Sequence, residues 1–484
     1  MPKLIIVILL VPTLILGPTL AADAAVRTDE RRSTLEDQQA VAVTIYNENL
    51  ALVKDLRMIK LDKGFNRLAL REVSANIRPE TALLRSADGL QGLHMIEQNF
   101  DFDLLTPRKL LEKYIGRRVK LVKTHPTTGA EQIEDALVLS ANNGVVLKVG
   151  DRIEMGIPGR IVFDKVPDNL RDRPTLVIQL HSPTAAPQKL ELSYLTGGLS
   201  WKADYVAELD PTDSRLDLHG WVTLTNKSGT TYKHAKLQLV AGDVHRVRRR
   251  MDALRQAHKN AAVAASVSQD MAEESLFEYH LYTLNRPATI ADNQTKQVAL
   301  LSAQNVPVGK QFLLRGRHYY YSSSYGDLGQ KLKVGVYVEF ENRKRANLGK
   351  PLPKGVIRVY KKDSAGNAQF VGEDNVDHTP KNEKVRLKLG DAFDVTADKK
   401  QTDFQKRPSS RRYAYAFESA YEINLKNAKK EPVIVTIHEP VPGDWMMLQE
   451  THRHQKVTAG TAVWHVTVPA EGKTTLRYRV LVRY

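Results

Sequence analysis

Residues 192–209 read LSYLTGGLSWKADYVAEL, residues 216–229 read LDLHGWVTLTNKSG, and residues 235–244 read AKLQLVAGDV. Leu199, Trp201, Ala203, Tyr205, Ala207 and Leu209 recur with period 2, and Ser200, Lys202, Asp204 and Glu208 fill the alternate places. The same alternation returns at Leu216, Leu218, Gly220, Val222 and Leu224, and again at Ala235, Leu237, Leu239 and Ala241. Period 2 puts alternate side chains on opposite faces of a strand, and Gly, Asn, Asp and Pro between the runs end them. The stretch therefore predicts half-buried antiparallel strands joined by short turns.

Working outward, the same pattern extends in both directions. Alternating runs begin at 41–46, 50–61 and 66–73 and return at 176–180 and 189–195. Beyond the central stretch they resume at 277–284, 297–303, 334–342 and 356–361, then at 413–425, 433–438, 462–468 and 476–484. Many short strands at this spacing predict an all-β, multidomain chain of immunoglobulin-like β-sandwiches. Thr106-Pro107 interrupts the series, because Thr is a good N-cap and Pro a good first helical residue. A short helix stopped at Gly116 is expected there, followed by five brief strands within 119–163, which predicts an inserted small SH3-like or Sm-like barrel. Residues 246–274 are Arg- and Ala-rich without Gly or Pro, and are expected to form a short helical or disordered excursion. The expected divisions are a mobile mature N-terminus over 25–38, a first sandwich over 39–105 closed by 170–199, the insert at 106–169, and a second sandwich region over 200–484.

The N-terminus addresses a compartment. Lys3 is followed by an apolar run from Leu4 to Leu16 and by Ala22-Asp23-Ala24, an A-x-A pattern. About 13 apolar residues are too few to span a bilayer and fit the core of a secretory signal peptide over 1–24. Export to the periplasm or bacterial cell envelope is expected, with cleavage near Ala24 and no transmembrane helix in the mature chain. The chain has no Cys, which excludes disulfides, thiolate metal sites and Cys nucleophiles. Lys plus Arg number 71 against 55 Asp plus Glu, a formal charge of +16. That balance favours an anionic partner. An envelope component is expected, whether protein, anionic glycan or anionic lipid surface. Nucleic acid is not expected, because an exported protein rarely meets RNA.

The segments YLTGGLSWKADY at 194–205, NKSG at 226–229, VAGDV at 240–244, YTLNRPATI at 282–290 and PVPGDW at 440–445 resemble a bacterial domain-of-unknown-function family. The C-terminal region of that family is shared with mucoidy inhibitor A-like proteins. The resemblance covers most of residues 192–484; the first half matches more loosely, and the long coiled coil of longer relatives is missing. It implies an exported, β-rich protein and supplies no reaction, cofactor or catalytic residue.

The residues themselves show no catalytic constellation. There is no G-x-S-x-G, H-E-x-x-H or S-x-x-K. Asp204 and Glu208 share a strand face and form a candidate carboxylate pair; a solvated face explains them equally. His438-Glu439, His452-Arg453-His454 and His465 are the nearest approach to a metal set, and exposed histidines are the simpler reading. Gly197-Gly198 reads as a bend, not a phosphate cradle. RGRHYYYSSSY at 315–325 interleaves Arg with Tyr, a composition that can stack on sugars or can pack half-buried in a sheet. The candidate binding residues are Trp201, Asp204, Arg317, Tyr319, Tyr320 and Tyr321, with no catalytic, cofactor or metal residue. The expected function is a non-enzymatic binding or structural module of the envelope. The alternatives are a hydrolase of envelope glycan or peptide, and an outer-membrane β-barrel suggested by the closing strand 476–484, which ends on Tyr484.

Overall fold

The computed structural model describes residues 30–142, 144–167, 170–242, 271–408 and 412–484. The signal-peptide segment and most of the 246–274 excursion lie outside the described residues. Strand makes up 65% of the chain and helix 5%, in several sheets none of which closes into a barrel, so the chain is all-β. Because the sheets are open, the described residues do not form the closed barrel that spanning an outer membrane requires.

The central stretch folds as its alternation requires. Leu199–Leu209 pairs antiparallel with Arg215–Asn226, with Trp201 opposite Leu224 and Asp204 opposite Trp221. Every apolar member of both period-2 series is buried, from Leu199 to Leu209 and from Leu216 to Leu224. Gly220 belongs to the buried face because the Tyr205 ring occupies the place of its side chain; a Cβ there would lie 3.0 Å from that ring. The Tyr205 hydroxyl donates to the Pro353 carbonyl at 2.7 Å. Tyr232–Ala241 then leaves this sheet and pairs in parallel with Gln38–Tyr46, with Leu237 opposite Val43. The Lys236–Val240 part of that strand and the Ala42–Tyr46 strand near the N-terminus thus lie side by side.

This crossing joins strands from either side of 199/200 in one sheet. One core contains Val41–Leu84 residues, Leu176–Ala241 residues and residues from Met271 to Leu387. A second core is built from Phe312, Leu314, Val334, Val395 and the strands between Tyr421 and Val482. Three long strands, Gln294–Arg315, Asp327–Glu341 and Lys384–Arg407, run from one core to the other. The first half of Gln294–Arg315 pairs with Arg215–Asn226 and the second with Asp327–Glu341. At the N-terminus, Glu30–Ser33 pairs in parallel with Arg67–Leu70, and Arg171 clamps Glu30 and Asp101 at 2.6 and 2.9 Å. Residues 30–33 are thus paired into a sheet, and Glu30 is held by Arg171. Residues 271–274, expected in the excursion, instead belong to the strand Met271–Leu276, paired with Tyr279–Leu284.

The insert begins with the helix Pro107–Lys113, where the Thr106 hydroxyl accepts from the Lys109 amide at 3.1 Å. Its five strands lie in the order Arg152–Met155, Val146–Val149, Glu131–Ser140, Arg118–Thr124, Arg160–Val162. The outermost two do not pair with each other, so the five-stranded sheet does not close on itself. Leu111 and Tyr114 pack with Val119, Leu121, Val138 and Leu147 on one face of it.

Three strands end on, or one residue before, a buried asparagine. Asn226 donates through Nδ2 to the carbonyls of Thr230, Ile290 and Ala291 at 2.9–3.2 Å and accepts from the amide and hydroxyl of Ser228. Asn342 donates to Lys350 and Pro380 carbonyls and accepts from the Gly349 amide. Asn427 donates to the carbonyls of Glu431 and Pro469 and accepts from the Lys429 amide. Each side chain satisfies backbone groups that the ending strand leaves unpaired.

Candidate functional site

Four turns meet at one end of the first core. Asn47-Glu48-Asn49 joins Gln38–Tyr46 to Leu50–Leu61, and Asn49 adopts φ +43°, a left-handed conformation that Asn tolerates. The Asn49 Oδ1 accepts from the Gly198 amide at 2.7 Å. Asn76 donates to the Lys227 carbonyl at 2.9 Å and its own carbonyl accepts from the Gly197 amide at 3.0 Å. Gly198 has φ +80°, and a Cβ there would lie 2.6 Å from the Lys227 oxygen and 2.7 Å from the Ser228 Cα. Both contacts are backbone, so nothing can move aside. Gly198→Ala is expected to cost about 2 kcal/mol or more, read as a lower urea midpoint at unchanged slope.

These turns wall an open groove of about 770 Å³ whose floor is the outward face of Ser200, Lys202, Thr223 and Thr225. Arg78, Lys202 and Lys227 line it, with Glu48 as its acid. Lys202 lies 3.4 Å from Asp204. Arg78 and Lys227 make no ion pair among the described residues. The buried Asn47 Oδ1 has no hydrogen-bond partner among the described residues, although its Nδ2 meets His378 Nε2 at 3.1 Å. The groove thus offers hydroxyls and a cationic rim.

Trp201 borders the groove, but its side chain belongs to the core and its Nε1 is buried without a hydrogen-bond partner among the described residues. Asp204 is committed: it accepts from Thr223 Oγ1 at 2.6 Å and from Arg358 at 3.1 Å. Glu208 is bound by Lys362 at 2.6 Å. Each carboxylate of the candidate pair therefore serves a different cation, and the two share no acid–base geometry.

The aromatic-basic stretch divides. Arg317 and Tyr319 are exposed, whereas Tyr320 and Tyr321 are buried in the second core. Here is a constellation that sequence reasoning missed. Lys399 is 2% exposed and Glu439 fully buried, and Lys399 Nζ lies 2.6 Å from Glu439 Oε1. The ammonium sits 4.4 Å from the Tyr320 ring, 5.2 Å from Tyr421 and 5.9 Å from Tyr478. Tyr321 donates to Glu439 Oε2 at 2.8 Å and shares a 2.9 Å hydrogen bond with Tyr478. Burial pushes the Lys399 ammonium below the usual lysine range, opposed by the Glu439 charge. Burial likewise raises Tyr321 and Tyr478 well above the usual phenol range, and Tyr421 to about 12. Gly316 makes room for this pair, since a Cβ there would collide with the Glu439 carboxylate. The only signal in sequence was a Gly before the Tyr run and an acid on an apolar strand face. Both members of the pair are buried in the second core, packed among its tyrosines.

The histidines do not converge. His454 Nδ1 meets Glu450 Oε2 at 2.9 Å, and Trp464 Nε1 donates to the same oxygen at 3.0 Å. His465 pairs with Thr436, and His452 with Thr451. Burial lowers the His438 pKa. Among the described residues no group of three or more His, Asp or Glu is arranged to hold a metal ion, and no helix is long and apolar enough to cross a membrane.

Open sheets, two cores joined by long strands and a turn-walled polar groove define an all-β, multi-sheet protein. Residues 190–484 match the model of the Domain of unknown function (DUF4139), and the chain belongs to that family. No curated protein matches it. The match includes Gly197, Gly198, Ser200, Lys202 and Lys227 but excludes Asn47, Asn49, Asn76 and Arg78. The groove is therefore completed by residues that precede the family region.

Proposed function

We propose that this protein is an exported, non-enzymatic binding module of the bacterial envelope, and that the groove between the Asn47–Asn49, Asn76–Arg78, Gly197–Gly198 and Lys227 turns receives an anionic glycan. The observation that carries this reading is the pairing of Arg78 and Lys227, two cations that make no ion pair among the described residues, with the hydroxyl side chains of Ser200 and Thr225 on the groove floor. Sugar hydroxyls match Ser and Thr as donors and acceptors, and a glycan carboxylate or phosphate matches the cationic rim. The leader-like N-terminus, the net charge and the resemblance to mucoidy inhibitor A-like proteins support an envelope location. Binding of a uronic-acid polysaccharide should weaken steeply with salt, because screening shortens from about 10 Å at 0.1 M to about 3 Å at 1 M. Arg78→Glu with Lys227→Glu is expected to reduce affinity by at least about tenfold, at about 1 kcal/mol or more per charge contact, without moving the urea midpoint. Equal binding of neutral and acidic polysaccharide, or unchanged affinity in the double variant, would remove the groove from the reading.

A further inference from the structure

The helix of the insert covers one face of its sheet, and on the other face Val122 is the buried residue. The helix and core lie against Val119, Leu121, Val138 and Leu147, so the alternate residues of the same strands point away. On that outer face Met155 is 88% exposed, Ile153 68% and Ile133 61%. The register interleaves them with cations. Ile153 lies opposite Lys148, Lys148 opposite Leu137, and Leu137 opposite Arg118, so one row across four strands alternates aliphatic and basic. In the adjacent rows Val162 lies opposite Lys120, and Ile133 opposite Val122. Arg118, Lys120 and Lys148 make no ion pair among the described residues. The acids on this face are Glu131, bound by Arg160 at 2.6 Å, and Asp135, which faces Lys120.

We infer that this face docks on the surface of an anionic lipid bilayer. Interleaved aliphatic chains and free cations match the boundary between acyl chains and phosphate headgroups, where the apolar ends enter and the bases stay with the phosphates. A protein partner is the poorer match, because well-packed protein interfaces are anchored by Tyr, Trp and Phe, and these rows carry none. Single-stranded nucleic acid needs stacking aromatics as well. An exposed apolar surface this concentrated marks an interaction site. The inference stands apart from the groove, which lies on different elements.

The chain has no cysteine, so Met155→Cys creates a single thiol for a polarity-sensitive nitrobenzoxadiazole label. With the full chain, the label's emission should rise and shift blue on adding phosphatidylglycerol-containing vesicles, and stay unchanged with phosphatidylcholine alone. A label at Ser364→Cys, in an exposed turn on the first core's sheet, should not respond. Lys120→Glu with Lys148→Glu should weaken the response by at least about tenfold, whereas Arg78→Glu with Lys227→Glu should leave it intact. The readout is local, so attachment through the N-terminal segment cannot mimic it. No response to anionic vesicles, a response indifferent to the lysine changes, or a response only to a protein extract would overturn the inference.

Discussion

Glu439→Ala is expected to destabilise the second core by about 3–5 kcal/mol, because it leaves a buried ammonium without its counter-charge. Lys399 is 2% exposed, and its ammonium also lies against three tyrosine rings. Those rings attract a cation through their negative faces, but each supplies only about 0.5–2 kcal/mol. Tyr321, deprived of its acceptor, keeps only the Tyr478 hydroxyl as a partner. The informative variant is the pair Lys399→Met with Glu439→Leu. It removes both charges at similar volume, and should recover most of the loss, since two well-packed apolar side chains escape the desolvation cost that the ion pair bears. Chemical denaturation of the four proteins closes a double-mutant cycle. A cost below about 1 kcal/mol for Glu439→Ala would place the pair in the class of solvated ion pairs, contrary to its burial.

Asn226→Ala should cost about 3 kcal/mol. The side chain makes five hydrogen bonds: three to the carbonyls of Thr230, Ile290 and Ala291, and two from Ser228. Each buried group left without a partner costs about 1–3 kcal/mol, and the turn at Lys227–Gly229 is open enough for water to serve some of them. Asn226→Asp keeps the acceptor for Ser228 and faces three carbonyls with negative charge, so it should be at least as damaging. Amide exchange at Ser228 and Thr230 should accelerate along with the lowered midpoint. Wild-type protection at those amides in the alanine variant would mean the strand end is held by the ladder alone. The effect has a functional reading too, since Lys227, on the groove rim, sits on this turn.

Local order was legible to different depths in different places. The strands around Trp201 and Leu218 follow from alternation alone, and the helix start follows from Thr106-Pro107, because both depend on neighbours in sequence. The candidate binding residues fared otherwise. Arg317 and Tyr319 are exposed, yet Tyr320 and Tyr321, next in the same run, are buried beside Lys399. A short 3-10 turn at His318–Tyr321 replaces the strand that alternation would have implied. Asp204 looked like a solvent-facing acid, but the parallel neighbour Gly355–Lys362 brings Arg358 to it across 154 residues. The groove drew half its wall from Asn47, Asn76 and Arg78, which carry no motif and stand far from the family region.

Alternation of apolar and polar residues suffices for the all-β class, the buried faces and the turns, because a strand's two faces are set by a two-residue repeat. Partnership between strands is another matter. Tyr232–Ala241 pairs with Gln38–Tyr46 rather than extending the sheet of Leu199–Leu209 and Arg215–Asn226, and three long strands pass between two cores. Nothing in a local pattern distinguishes those partners from others of equal apolarity. Closing a long loop costs entropy that grows only slowly with its length, so the choice falls to side-chain packing and to the few buried polar groups that must be satisfied. Asn226, Asn342, Asn427 and the Lys399–Glu439 pair are satisfied only in the assembled fold, and the polar groove and the outer face of the insert exist only there.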